Sequence, residues 1–445
     1  MADIINLLAG IAANDPLDEL RGHRAQAKEN AQLSFEALLE PEDPRGVSYR
    51  ERYAVAAFTA GLLGSDRAEE FYRDLLRDED EAASWAVAEL LDEAVLALDS
   101  RAEVRGPYGI VDSAALSAEN VPGPWFTADT QSRQTLGARL ISGLEFAHLL
   151  ALHPRDARPA HLALLLESGW DEDGIVTLAQ LVSFLNFQIR ISTGLAALAL
   201  APIAAGAPVP DSLSRDTGGA GNAVVNEDEA AASARESAAL TAVGDRVNTY
   251  PDLARPTLFQ QSGLGWVPWI APVAEAELTE TQRDSLIEAG RAKNPYFRLL
   301  ARDPAALRAR TLTDLDIFFN TTDGLGRAER ELAATAASRL NGCLFCASIH
   351  SDRATEESGR RELVQRLLDE GIGTKSRLGD QVWDAVVDAS VALTLTPQAF
   401  GARHLEQLRA AGLDDGDIID ALNCAAFFNW ANRLMLSLGE PEQLK

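Results

Sequence analysis

Residues 326–350 read GRAERELAATAASRLNGCLFCASIH, and the fold follows from how this string divides. Its first part spaces apolar residues as an amphipathic helix does. Asn341-Gly342 is a helix stop, and a second helix is expected to open directly behind it. Cys343, Cys346 and His350 are then offset by three and four residues, so at ~100° per residue they share one face. Thiols in the first turns of a helix meet free backbone N–H groups and the positive end of the dipole, which favour thiolate over thiol. Glu331, on the preceding helix, is expected to come back against His350, directly or through a water, and to orient the imidazole for moving a proton to or from a sulfur.

The chain holds three cysteines in 445 residues, which makes the Cys-x-x-Cys pair its most specific feature. Two plainer uses stand beside a redox couple. Structural zinc wants four ligands of this kind, but a second close Cys or His pair is not visible. Free cysteine also fills cores.

The string ERELAATAASRLNGCLFCASIH resembles the Glu-x11-Cys-x-x-Cys-x3-His signature of the alkylhydroperoxidase D branch of the carboxymuconolactone decarboxylase family, with Glu331, Cys343, Cys346 and His350 in its fixed positions. The resemblance implies an all-α fold and thiol-dependent reduction of hydroperoxides, in which Cys346 attacks the peroxide and Cys343 is its disulfide partner. It implies no cofactor beyond this redox-active disulfide. The partners it implies are a hydroperoxide substrate, a dithiol reductant such as a lipoyl or thioredoxin-like protein, a peroxiredoxin, and further copies of the chain in a homo-oligomer. Some members carry a His between the cysteines where this chain has Phe345; in that respect it resembles the broader peroxidase-related subgroup.

An internal repeat organises the rest. HLALLLESGWDEDGIVTLAQLVSFLNFQIR (161–190) aligns without a gap on HLEQLRAAGLDDGDIIDALNCAAFFNWANR (404–433), pairing His161 with His404, Gly169 with Gly412, Asn186 with Asn429 and Arg190 with Arg433. Upstream, aligning Gly64 with Gly342 sets Tyr53, Ser65, Ala68 and Tyr72 opposite Glu331, Cys343, Cys346 and His350. The reading is two tandem alkylhydroperoxidase D-like domains: a degenerate one without the redox residues at 1–205, a flexible linker at 206–250, and the Cys-x-x-Cys domain at 251–445. Cys424, opposite Leu181 on an apolar face, reads as a core thiol. His161 and His404 precede helices in both halves and read as caps or buried hydrogen-bonding groups. The Asn/Arg pairs, one turn apart in apolar helices, read as buried polar pairs that fix helix packing or a subunit contact.

Composition agrees. A chain of 445 residues is too long for one helical core and fits two domains. The hydrophobic fraction of 47% supplies buried helix faces, and 6% aromatics argues against extensive sheet. Residues 101–126 read as an ordered loop covering a pocket, and 201–245, rich in Ala, Gly, Pro and acid, as a flexible linker whose Glu-Ala section can form a transient helix. Residues 255–273, with Phe259, Trp266 and Trp269 between prolines, read as an extended arm that packs on a partner surface. A formal charge of −27 opposes nucleic-acid binding. The start lacks a positive n-region, and the apolar stretch around 193–209 is broken by Gly and Pro, so neither a signal peptide nor a membrane span is expected. A cytoplasmic, reduced setting follows, where Cys-x-x-Cys is more often a working couple than a bridge.

Three functions are compatible with these residues. The first is a thiol peroxidase or disulfide oxidoreductase. The second is an acid–base enzyme of the carboxymuconolactone decarboxylase type acting on a small organic acid, which keeps activity without its thiols. The third is a redox-sensing module with no turnover of its own.

Overall fold

The computed structural model describes residues 3–99, 111–113, 116, 123–200, 227–370 and 377–444. The framework helices of the first half are α1 (Ala25–Leu39), α2 (Tyr49–Leu62), α3 (Asp66–Glu79), α4 (Ala138–Leu152), α5 (Pro159–Glu167) and α6 (Glu172–Leu200). After α7 (Glu227–Val243), those of the second half are α8 (Pro304–Phe319), α9 (Arg327–Leu340), α10 (Leu344–Ser358), α11 (Gln381–Thr394), α12 (Ala402–Ala410) and α13 (Asp415–Ser437). The protein is all-α apart from a small two-stranded sheet.

Local details run in parallel in the two halves. Gly64, between α2 and α3, has φ +70°, and Gly342, between α9 and α10, has φ +73°. Both are left-handed positions that an L side chain resists, so glycine is what lets each helix stop and the next begin within three residues. Arg52 and Arg330 each gather the backbone carbonyls of the loop before their own helix, through Val47 and Pro44 in one case and Leu325 and Asp323 in the other. The two aligned histidines cap helices. The Arg158 N–H donates to Nδ1 of His161 at 3.0 Å, and the Gly401 N–H donates to Nδ1 of His404 at 3.3 Å.

Three expectations need correction. First, the halves do not have separate cores: one apolar cluster runs from Ile4 to Leu438. Helix α6 lies along α13, and α1 along α8. Phe187 stacks on Trp430 at 5.6 Å, and the Trp430 indole donates to Gln180 across the same seam. Apolar on all sides, α6 could not be exposed without cost, and the other half covers it. It is long and apolar enough to cross a membrane, yet that window is wholly buried inside the protein.

Polar groups lock the seam. Arg190 reaches from α6 to the Thr394 carbonyl at 3.1 Å, at the end of α11, while Arg433 reaches from α13 to the Leu150 and Ala151 carbonyls at 2.7 and 3.0 Å, at the end of α4. Each guanidinium thus satisfies carbonyls that a helix C-terminus leaves without partners. The Asn429 side-chain oxygen and carbonyl hold Arg433 from one turn back, and Asn186 does the same for Arg190. Arg24 makes a two-pronged pair with Asp420, at 2.8 and 2.7 Å, from opposite halves.

Second, the end of the expected linker is structured. Residues 201–226 lie outside the described residues, but α7 packs along α5 with Ala239 fully buried. Glu236, Ala239, Leu240 and Val243 recur at helical spacing, and this stripe gives α7 a face to bury.

Third, the aromatic arm packs on its own chain rather than on a partner. Its strand β1 (Gly265–Pro268) pairs antiparallel with β2 (Gly439–Glu442). The Trp266 indole donates to the Met435 carbonyl at 2.9 Å and Trp269 to Glu440 at 3.1 Å. Of the expected loop at 101–126, residues 101–110, 114, 115 and 117–122 lie outside the described residues. Val111 and Leu116 pack with Leu344 and Ala347 of α10, so part of this first-half segment reaches the cysteine-bearing helix.

Candidate functional site

Helix α9 is buried almost throughout, which is why its short apolar residues, mostly Ala, suit it: they let the neighbouring helices approach closely. It ends at Asn341 and the left-handed Gly342. The Cys343 N–H then donates to the Ser338 carbonyl at 2.9 Å, closing the turn. Cys343 is the N-cap of α10, with φ −83° and ψ 91°, and Cys346 lies in its first turn. Both sulfurs therefore stand at the positive end of the helix.

Glu331, Cys343, Cys346 and His350 come together as one group. Glu331 is 1% exposed. One of its oxygens meets Nδ1 of His350 at 2.5 Å, and the other accepts from Nε of Arg327 at 2.6 Å. Burial works against the carboxylate, but His350 and Arg327 outweigh it and hold Glu331 below its ordinary value. Burial likewise works against the imidazolium, and the Glu331 charge and hydrogen bond raise His350 above its ordinary value. With Nδ1 engaged, Nε2 is the nitrogen left for proton movement. The ring is held in place by Phe428, whose centroid is 4.1 Å away, and by Phe318 at 5.7 Å.

The two thiols are set apart electrically. Burial raises the Cys343 thiol well above its ordinary value, and the neighbouring Cys346 sulfur raises it further. For Cys346 burial is opposed by the Cys343 hydrogen bond, the His350 charge, a hydrogen bond from Asn432 and the Arg310 charge; together these lower it. The more acidic thiol is thus the one on the His350 side. Cys424 is fully buried, is raised by burial, and takes no part in the group.

Several contributors were not legible in the sequence reading. Asn432, on α13, is tied to Asn341 at 2.9 Å and to Ser338 at 3.0 Å, so its amide is aimed before it meets Cys346. Arg327 precedes Glu331 by one helical turn, a spacing that could have flagged it. Arg310 and Asp314 come from α8, and nothing in their local sequence marks them.

Opposite positions in the first half carry different groups. Tyr72 is buried and its hydroxyl donates to Gln188. Tyr53 stacks on Tyr49 and burial pushes it up to about 12. Ser65 and Ala68 occupy the positions of the two thiols.

A cavity of about 390 Å³ opens on Cys343 and Phe345, walled by Trp266, Trp269 and Leu436 and lined from the first half by Arg155. It lies where the two halves and the small sheet meet. Among the described residues, no set of three or more His, Cys, Asp or Glu is grouped to hold a metal ion.

This paired-helix site coincides with a family match. Residues 304–372 match the carboxymuconolactone decarboxylase family. The matched segment runs from α8 through α9 and α10 and contains all four residues of the group. The carboxymuconolactone decarboxylase family includes enzymes, with peroxidase-like and decarboxylase members among them. No curated protein and no solved structure matches the chain.

Proposed function

We propose that the protein is a thiol peroxidase that reduces hydroperoxides through the Cys343–Cys346 couple. The observation that supports this best is the opposed setting of the two thiols: Cys346 is lowered beside His350 while Cys343, its hydrogen-bond partner, is raised. Such an asymmetry suits one sulfur to attack and the other to wait as a thiol.

In this reading the Cys346 thiolate attacks one oxygen of R–O–O–H, the O–O bond breaks, and the departing oxygen leaves as an alcohol after taking a proton. His350, oriented by Glu331, supplies that proton from Nε2. The Cys346 sulfenic acid condenses with the Cys343 thiol, forming the disulfide and releasing water. An external dithiol then attacks the disulfide, and the cavity beside Cys343 offers its approach. We assign this reductant to the lipoyl or thioredoxin-like class, place the reaction in a reducing cytoplasm, and expect a homo-oligomer.

The test is rapid mixing of the reduced protein with t-butyl hydroperoxide, followed by a sulfenic-acid trap and peptide mapping. Cys346→Ser should not react. Cys343→Ser should react once and stop at the sulfenic acid, and the wild type should give a Cys343–Cys346 disulfide that dithiol reverses. A wild type inert to peroxide would end this reading, and turnover of an organic acid by the doubly thiol-free variant would favour acid–base chemistry instead.

A further inference from the structure

Arg310 is 5% exposed; Asp314, one turn on along α8, is the carboxylate that feels its charge, but no hydrogen bond joins the two. Its Nε is buried with no hydrogen-bond partner, and no described residue offers a carboxylate or carbonyl at bonding distance. What it has are two aromatic faces: Phe427 with its centroid 5.0 Å from Cζ, and Tyr296 at 5.8 Å. Cation–π contact returns only part of the cost of burying a guanidinium, so a buried one is normally paired with an anion. Four other buried arginines are held by hydrogen bonds or ion pairs: Arg24 and Arg330 meet Asp420, and Arg190 and Arg433 donate to backbone carbonyls.

A second polar group at the same place is also unmatched. Tyr296 is 8% exposed and its hydroxyl is buried without a partner. Its ring meets Trp266 edge-on at 5.5 Å, and Trp266 is a wall of the cavity that opens on Cys343. On the other side, Phe427 adjoins Phe428, the ring against His350. Arg310 and Tyr296 are thus wedged between the Cys343 cavity and the His350 wall, with Cys346 as the nearby anion. The charges agree: Arg310 helps to lower Cys346, and the Tyr296 hydroxyl, raised chiefly by burial, feels both sulfurs.

We propose that Arg310 and Tyr296 form an anion subsite beside Cys346, built to hold the oxygen that leaves when the sulfur attacks a hydroperoxide. The assignment of the bound oxygen rests on the peroxidase reading; the anion subsite itself does not. In the free enzyme Arg310 faces the thiolate. As the S–O bond forms and the O–O bond breaks, negative charge moves from sulfur to the departing R–O oxygen. The guanidinium and the phenol O–H can follow it as donors until His350 delivers the proton. Donors aimed in advance at such a developing charge act strongly in a buried site.

The experiment uses the full chain with Cys343→Ser, so that Cys346 is the one reactive thiol, and compares two alkylating agents of equal shape. Iodoacetate carries a carboxylate where iodoacetamide carries a neutral amide. Rates are read across a pH profile, because His350, Glu331, Asp314, Tyr296 and Arg310 all face or influence Cys346, and are compared on each variant's plateau. There Arg310→Met should lower the iodoacetate-to-iodoacetamide ratio about tenfold, the effect expected of losing one charge-matched donor. Arg310→Lys should restore most of the ratio. In the same proteins, Arg310→Met should slow oxidation by t-butyl hydroperoxide about a hundredfold, the usual loss for one oxyanion donor, with a smaller loss for Tyr296→Phe.

An unchanged alkylation ratio in Arg310→Met overturns the subsite, and so does an equal fall in both alkylation rates, since that reports a damaged thiol rather than a lost anion contact. If Arg310→Met does not fold, the ratio in Arg310→Gln and Tyr296→Phe decides: both at the wild-type value overturn the proposal. A ratio that falls in a protein inert to hydroperoxide keeps the anion subsite and removes the peroxidase reading.

Discussion

Replacing Glu331 by Gln should disable Cys346 from a distance, through His350. The substitution keeps the shape of a side chain that is 1% exposed and removes its charge. Two unit charges roughly 4 Å apart interact by about 4 kcal/mol at an effective dielectric of 20. That is an upper bound on what the imidazolium loses. The His350 side chain is 20% exposed and Arg327 sits on the far side of Glu331, so the loss is smaller than that bound. The sign is set by what remains. Without the carboxylate, burial is the largest influence on the imidazole and lowers it, so His350 gives up its proton at lower pH. Cys346 then loses one of the charges that lower it, and less thiolate is present.

The expected result is an imidazole NMR titration for His350 shifted to lower pH, with peroxide oxidation of Cys346 slowed on the order of a hundredfold. Combining Glu331→Gln with His350→Ala should add nothing to the larger single effect, since both act on one proton path. A His350 titration that does not move in Glu331→Gln would refute the reasoning, because the 2.5 Å contact would then carry no charge coupling.

Three further outcomes follow from the same structure. In Cys343→Ser protein, the alkylation rate of Cys346 should level off at a lower pH than that of a free cysteine, near 8.5, and fall as pH falls through the lowered value; a midpoint at or above the free thiol would mean that burial wins. Arg433→Met, which strips donors from the Leu150 and Ala151 carbonyls, should lower stability by roughly 2–4 kcal/mol in denaturant unfolding, and a change within 0.5 kcal/mol of wild type, the range of ordinary surface substitutions, would show that those carbonyls find other partners. A chain of residues 251–445 alone should lack a cooperative transition and near-ultraviolet dichroism, because α13 and α8 lose the partners that bury them; native-like dichroism would show two independent cores.

How much of this was legible in the sequence depends on how far apart the cooperating residues lie. The repeat is visible because 161–190 and 404–433 align without a gap, and the capping histidines His161 and His404 could be set aside as structural because the half without thiols has one too. That the helix at the end of the linker is packed rather than transient is not legible there, because α7 has a weak apolar stripe that matters only where α5 offers it a surface. The aromatic arm was given to a partner because nothing near Trp266 announces that β2, at the far end of the chain, will pair with it.

By itself the sequence determined the helix–stop–helix at the site. A left-handed glycine at 342, thiols at the cap and first turn of α10, and an imidazole one turn on are consequences of helix geometry over a few residues, and the tight turn returns Glu331 to His350 without help from the rest of the chain. Only the tertiary structure decided that the halves share one core, that Asn432 reaches Cys346 from α13, and that an arginine from α8 is buried nearby with no hydrogen-bond partner for its Nε. The physical reason is that periodicity and turn chemistry act between neighbours in sequence, whereas burial and charge pairing depend on which distant surfaces meet when apolar faces are removed from water.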